Sequence, residues 1–119
     1  MQLSDLIKKL KAYEKKPDIL LIKRAYAYAE KAHEGQTRAT GEAYIEHPLS
    51  VACILADLKL DDVTIASALL HDVVEDTERT EKDIVNEFGR EIATIVDGMT
   101  KIKTLKSLSR EDYHAETIR

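Results

Sequence analysis

The sequence predicts an all-α protein, and three observations carry the prediction. Apolar residues recur at three-and-four spacing in most segments, as in Leu3, Leu6, Ile7, Leu10 and Tyr13. No segment alternates apolar and polar residues convincingly, and the one β-branched cluster, Ile92 to Val96, keeps helical spacing. No internal repeat, low-complexity tract or Pro- or Gly-rich linker divides the 119 residues. A chain of that length can bury roughly two-thirds of its unfolded surface as one domain without disulfides or other staples.

Taken in order, the elements number about six to seven. Ser4 can cap a first helix that Lys15-Lys16-Pro17 ends, with Lys8, Lys9 and Lys11 outside its apolar face. Pro17 suits the first turn of a second helix, whose stripe is Leu21, Ile22, Ala25, Tyr26, Ala29 and Ala32 and whose end is His33. From Gly35 to Glu46 the periodicity vanishes, and a loop with two glycines, Arg38 and Tyr44 can let backbone and cation approach a ligand. Pro48 fits the first position of a third helix running to about Asp57 and apolar nearly all round.

After the short connection Leu58-Lys59-Leu60, Asp61 caps a fourth, central helix through Leu70. Thr80 and Asp83 form a capping box for a short helix with Ile84, Val85 and Phe88 inward and Gly89 at its end. Ile92, Ile95, Val96 and Met99 define a sixth helix, weakened in its last turn by Gly98. Thr100 to Leu108 reads as a basic loop, and Ser109 caps a last helix over 110–119.

Composition excludes several function classes. A net charge of −4 with both signs mixed, no Trp and one Phe argue against a dedicated nucleic-acid binder. No run approaches the roughly 18 apolar residues needed to span a bilayer, and the first residues lack a signal-peptide pattern. The single Cys53 lies in the apolar run Val51-Ala52-Cys53-Ile54-Leu55 and reads as a small core residue. A soluble, cytoplasmic protein is expected.

The chemistry concentrates in Leu70-His71-Asp72-Val73-Val74-Glu75-Asp76-Thr77, where the most apolar part of the chain runs into four ionisable groups in six residues. A buried charge without a partner costs several kcal/mol, roughly, so a bound cation is the economical explanation. Imidazoles with a carboxylate suit divalent transition metals, and His47, His71 and Asp72 offer that set from two helices. The bland alternative is a core histidine hydrogen-bonded to an aspartate. Glu75 and Asp76 fall one turn later if the helix continues, where a carboxylate can orient or deprotonate a water, or else simply form a solvated acidic loop. Arg38 could grip a phosphate or be a surface charge, and Tyr44 can stack on a base or pack the loop. His33 and His114 read as surface or helix-end residues rather than ligands.

Several strings resemble one family. Gly35-Gln36-Thr37-Arg38, Gly41-Glu42-Ala43-Tyr44-Ile45-Glu46-His47-Pro48, Leu70 to Thr77, Phe88-Gly89 and Val96-Asp97-Gly98-Met99-Thr100-Lys101 are similar to the hydrolase domain of the bifunctional (p)ppGpp synthetase/hydrolases. These RelA/SpoT-like alarmone enzymes of the stringent response belong to the helical HD-domain phosphohydrolases. The resemblance covers nearly the whole chain. It implies an HD-domain helical bundle, with Mn2+ held by His47, His71 and Asp72. It also implies a water that attacks the 3′-phosphate of guanosine tetra- or pentaphosphate and releases pyrophosphate with GDP or GTP. Glu75 and Asp76 would assist the water, and Arg38, Ala39, Thr40 and Tyr44 would shape the nucleotide pocket. The intact His71-Asp72 and Glu75-Asp76 pairs favour a hydrolase-competent parent.

Two departures accompany the resemblance. Ala39 stands where the family commonly has lysine, and the family's last ligating aspartate, followed by asparagine, falls beyond Arg119, with Asp97 belonging to a different motif. Residues 1–119 are therefore expected to form one hydrolase-type HD domain, incomplete at its C-terminus, with weak metal binding and little or no turnover on its own. Apolar surface left on the third and fourth helices would favour self-association. Two competing readings are an HD phosphohydrolase acting on another nucleotide and a non-catalytic nucleotide-sensing or interaction module.

Overall fold

Two aspartates set where the second and fourth helices begin, and through them where the centre of the molecule lies. A computed structural model describes residues 2–37, 41 and 43–102. Within these residues the order is α1 (Leu3–Tyr13), α2 (Ile19–Ala32), α3 (Glu46–Asp57), α4 (Asp62–Leu70), α5 (Val73–Asp76) and α6 (Glu81–Phe88). A further helical run, α7, covers 90–102. The described residues contain one isolated antiparallel bridge, Thr37 to Ala43, and no longer strand pairing. The architecture is all-α, as the periodicity predicts.

Asp18 accepts the Leu21 N–H at 3.0 Å and Asp61 accepts the Thr64 N–H at 3.0 Å, so each caps a helix. The Asp18 N–H in turn donates to Asp62 Oδ2 at 2.8 Å, which ties the start of α2 to the start of α4. From there α4 runs between α2 and α3, with α1 laid across both. Its residues Ile65 to Leu70 are all buried, joined in the core by Leu6, Leu10, Ile22, Leu49 and Ile84. Full burial of each Leu or Ile contributes about 1.5–3 kcal/mol, so this short central helix is held by packing rather than by propensity. Cys53 is buried in α3, as expected.

On the outer face of α2, the Arg24 guanidinium lies 5.1 Å from the Phe88 ring centre and bonds the Glu87 carbonyl at 2.6 Å. Tyr28 meets Phe88 edge-on at 5.4 Å. These contacts dock α6, whose capping box is formed as predicted. The Thr80 N–H donates to Asp83 Oδ2 at 2.9 Å and the Asp83 N–H donates to Thr80 Oγ1 at 3.3 Å. The hydrogen bond from the Thr80 N–H holds the Asp83 carboxyl below the usual carboxylate range. Gly89, at φ 92°, ends α6 in a conformation that a side chain would strain.

Several predicted boundaries shift. Ser4 lies inside α1, because Gln2 is the cap and its N–H is taken by Asp5 Oδ2 at 2.8 Å. Pro17 lies outside α2, since Asp18 takes the capping position. Pro48 is the third residue of α3 rather than the first, so His47 sits in the first turn. The central helix, by contrast, ends at Leu70 as predicted, and His71 and Asp72 form a turn before α5. Gly98 does not loosen α7 within the described residues, and Thr100 to Ile102 extend it where a loop was predicted. Residues 103–119, including the predicted last helix and His114, lie outside the described residues.

The uncovered apolar surface is also narrower than expected. Ile54 and Leu58, at and just past the end of α3, are 59% and 66% exposed, whereas the face of α4 from Ile65 onward is covered. No helix among the described residues is long and apolar enough to cross a membrane.

Candidate metal centre

The break after Leu70 creates the site. The His71 N–H bonds the Ala68 carbonyl at 3.3 Å, three residues back, which tightens the end of α4. The chain re-enters helix when the Asp76 N–H reaches the Asp72 carbonyl at 2.9 Å. His71 and Asp72 therefore lie in a turn at the end of the buried helix, and His47 faces them from the first turn of α3. One donor atom from each of the three lies within 4.8 Å of the others.

His71 Nδ1 lies 2.5 Å from the Ala68 carbonyl oxygen, a contact that requires Nδ1 to carry the proton. In the neutral ring, Nε2 is then an acceptor, and it lies 3.2 Å from Asp72 Oδ2. His47 Nε2 is 3.7 Å from the same oxygen, and the two imidazole centres are 5.7 Å apart. Two lone-pair atoms at 3.2 Å repel unless a cation or proton lies between them. Ligands about 2.0–2.2 Å from a shared ion stand roughly 3–3.5 Å apart, so the spacing of His71 and Asp72 fits a common divalent ion. The carbonyl that fixes the His71 tautomer is the outer-sphere partner such a ligand needs. Asp72 is 1% exposed, His71 is half-buried, and His47 lies toward the solvent side.

Tyr44 closes one side. Its hydroxyl donates to Asp76 Oδ2 and lies 3.4 Å from Asp72 Oδ2. Burial first, then the Asp76 hydrogen bond and the Asp72 charge, push the Tyr44 phenol well above its ordinary range, so it stays protonated and donating at neutral pH. One ring face is covered by His33, stacked at 4.4 Å and 18°. Tyr44 thus meets carboxylates with its hydroxyl and the His33 imidazole with its ring.

Glu75 and Asp76 lie on the turn after His71 and Asp72, as the spacing predicts, though across the break. Both are exposed and line an open cleft of about 720 Å³ together with Gln36, Thr77, Arg79 and Asp83. The Arg79 guanidinium lies 5.3 Å from the centre of the Tyr28 ring. Arg38, Ala39 and Thr40 lie outside the described residues.

His33 is buried where the sequence predicts a surface or helix-end residue. It ends α2 as predicted, but it is 3% exposed. The signal was there, because His33 follows Ala29 by four residues on the face of Ile22, Ala25 and Ala29.

Comparison with known proteins places the chain in a family. The family profile of the HD domain matches residues 25–119. The chain is 48% identical over 110 residues to the GTP pyrophosphokinase of Myxococcus xanthus, covering 90% of this chain and 14% of that protein. It is 46% identical over 110 residues to the bifunctional (p)ppGpp synthase/hydrolase SpoT of Escherichia coli K12, covering 92% of this chain and 16% of that one. The figures are the same for the guanosine-3′,5′-bis(diphosphate) 3′-pyrophosphohydrolase of Escherichia coli O157:H7. The chain thus spans 14–16% of the length of these relatives. With a helical fold, a paired His71-Asp72 at a helix break and a matching profile over most of its length, the chain belongs to the HD-domain family.

Proposed function

We propose that this chain is the hydrolase module of an alarmone-degrading enzyme, a Mn2+-dependent 3′-pyrophosphohydrolase acting on guanosine tetra- or pentaphosphate. The observation that carries the reading is the convergence of His47, His71 and Asp72 within 4.8 Å, two imidazole nitrogens and a carboxylate oxygen around one point. The hydrolase names borne by relatives at 46% identity support the substrate.

His47, His71 and Asp72 would hold a divalent ion, which would supply a Lewis acid and make water more acidic, toward a pKa of about 7 in favourable sites. The chain's own residues do the rest. Asp72 and the two imidazoles hold position, with the His71 proton committed to Ala68. Asp76 accepts the Tyr44 hydrogen bond on Oδ2, and its carboxylate can take a proton from the attacking water. The water oxygen would add to the phosphorus that carries the ribose 3′-oxygen, the bond from that phosphorus to the 3′-oxygen would break, and the 3′-oxygen would take up the proton that Asp76 received as pyrophosphate departs. Glu75 assists from the cleft wall, and nucleotide binding is assigned to Arg38, Ala39, Thr40 and Tyr44, the Arg38 guanidinium being suited by its chemistry to a phosphate.

Isothermal titration with guanosine tetraphosphate tests the reading. Binding is expected with Mn2+ present and to weaken at least tenfold in H71A. Equal binding with Mn2+ and with a chelator would contradict it.

A further inference from the structure

His33 is a polar side chain placed where an apolar one would pack without penalty. It is 3% exposed, and its Nε2 has no hydrogen-bond partner among the described residues. Burying a nitrogen in that state opposes folding. What His33 does provide lies on its other edge and on its ring face.

Nδ1 meets Gln36 Oε1 at 3.2 Å. Gln36 Nε2 donates to the Asp76 carbonyl at 2.7 Å, so the amide orientation is fixed. Its oxygen must accept, and Nδ1 of His33 is therefore the donor. On the ring face, His33 stacks on Tyr44, whose hydroxyl bonds the Asp76 carboxylate. The backbone draws the same residues together, since the Gln36 N–H reaches the His33 carbonyl at 2.9 Å and the Tyr44 N–H reaches the Gln36 carbonyl at 3.3 Å. Asp76 is thus held at its main chain through Gln36 and at its side chain through Tyr44, and both holds originate at one imidazole.

We infer that His33 is a positioning residue that fixes Asp76 beside the metal centre, acting through the Gln36 amide and the Tyr44 ring. It touches neither the three donor atoms nor, in the proposed reaction, the substrate. The functional half of the inference rests on the hydrolase reading, while the structural half stands without it.

The test uses the whole 119-residue chain and three variants, H33F, H33N and Q36L. Phenylalanine keeps the stack and loses the donor. Asparagine loses most of the stack and keeps a donor where Nδ1 stands. The primary readout is hydrogen exchange of the Gln36 side-chain amide by 15N NMR, its signal assigned by its absence in Q36L. H33F is expected to be at least as stable to heat as the wild type, yet to exchange the Gln36 amide at least tenfold faster, and H33N is expected to restore slow exchange. With Mn2+ saturating, H33F is also expected to weaken binding of guanosine tetraphosphate about 10-fold and to leave Mn2+ affinity unchanged.

A protected Gln36 amide in folded H33F, or fast exchange in folded H33N, overturns the inference whether or not the chain cleaves the alarmone. If the wild type binds no alarmone but the exchange pattern appears, the hydrolase reading fails and the positioning of Asp76 stands.

Discussion

Replacing Tyr44 with phenylalanine isolates one hydrogen bond at the edge of the site. The ring and its stack on His33 at 4.4 Å remain, while the donor to Asp76 Oδ2 and the longer 3.4 Å approach to Asp72 are lost. A hydrogen bond to a charged acceptor contributes about 1.5–3 kcal/mol. Asp76 is exposed and water can replace the phenol there, so the cost at pH 7 falls to about 1–1.5 kcal/mol. For a domain of this size that is a drop of roughly 4–8 °C in Tm.

The pH dependence gives the sign. The folded-state pKa of Tyr44 is raised above the unfolded value, first by burial and then by the Asp76 hydrogen bond. Its stabilisation is therefore fully present below the unfolded tyrosine pKa of about 10 and is lost as pH rises through the folded value. Urea unfolding followed by circular dichroism at pH 7 and pH 10.5 measures both. Y44F is expected to be the less stable protein at pH 7 and to lose less stability between the two pH values. Equal stability at pH 7, with the same urea slope, would refute the reasoning.

Four further outcomes follow from particular contacts. Lys59, at φ 61°, occupies the left-handed position of the turn that ends α3, where its N–H reaches Ala56 at 2.9 Å and the Leu60 N–H reaches Leu55 at 3.2 Å. Glycine is the usual residue at that position, so K59G is expected to raise stability by about 0.5–1 kcal/mol in chemical denaturation. Leu69→Ala, at 0% exposure in α4, is expected to cost about 2–5 kcal/mol in the same assay. Thr80→Ala removes the cap of α6 and is expected to cost about 0.5–2 kcal/mol. Mn2+ at a hundred times its dissociation constant is expected to add about 2.7 kcal/mol of stability to the wild type and none to H71A, as read by calorimetry.

How far the sequence reached can be judged residue by residue. Asp61, the Thr80-Asp83 box and Gly89 were legible because capping is local chemistry, decided within three or four residues. Pro17 and Pro48 were misplaced by one to three residues because proline is tolerated anywhere in a first turn and just before it. Asp18 and the Tyr44-Ile45 turn fixed the starts instead. The break at His71-Asp72 had no local marker. It is imposed by the Ala68 carbonyl, which receives both the His71 main-chain N–H and the His71 ring. His47, His71 and Asp72 could be grouped by residue type, but their meeting depends on α3 packing against α4, which periodicity does not encode. The stack of His33 on Tyr44 was hidden for the same reason, although the burial of His33 could have been read from the stripe it extends.

The central claim is that His47, His71 and Asp72 together hold one divalent ion. Electron paramagnetic resonance of Mn2+ in solution tests it at equilibrium and tolerates weak binding, because the hexaaqua signal falls as Mn2+ is bound. The account predicts that titrating the wild-type chain removes about one equivalent of that signal, and that H71A and D72N remove none while remaining folded. A wild-type titration indistinguishable from that of H71A would contradict it.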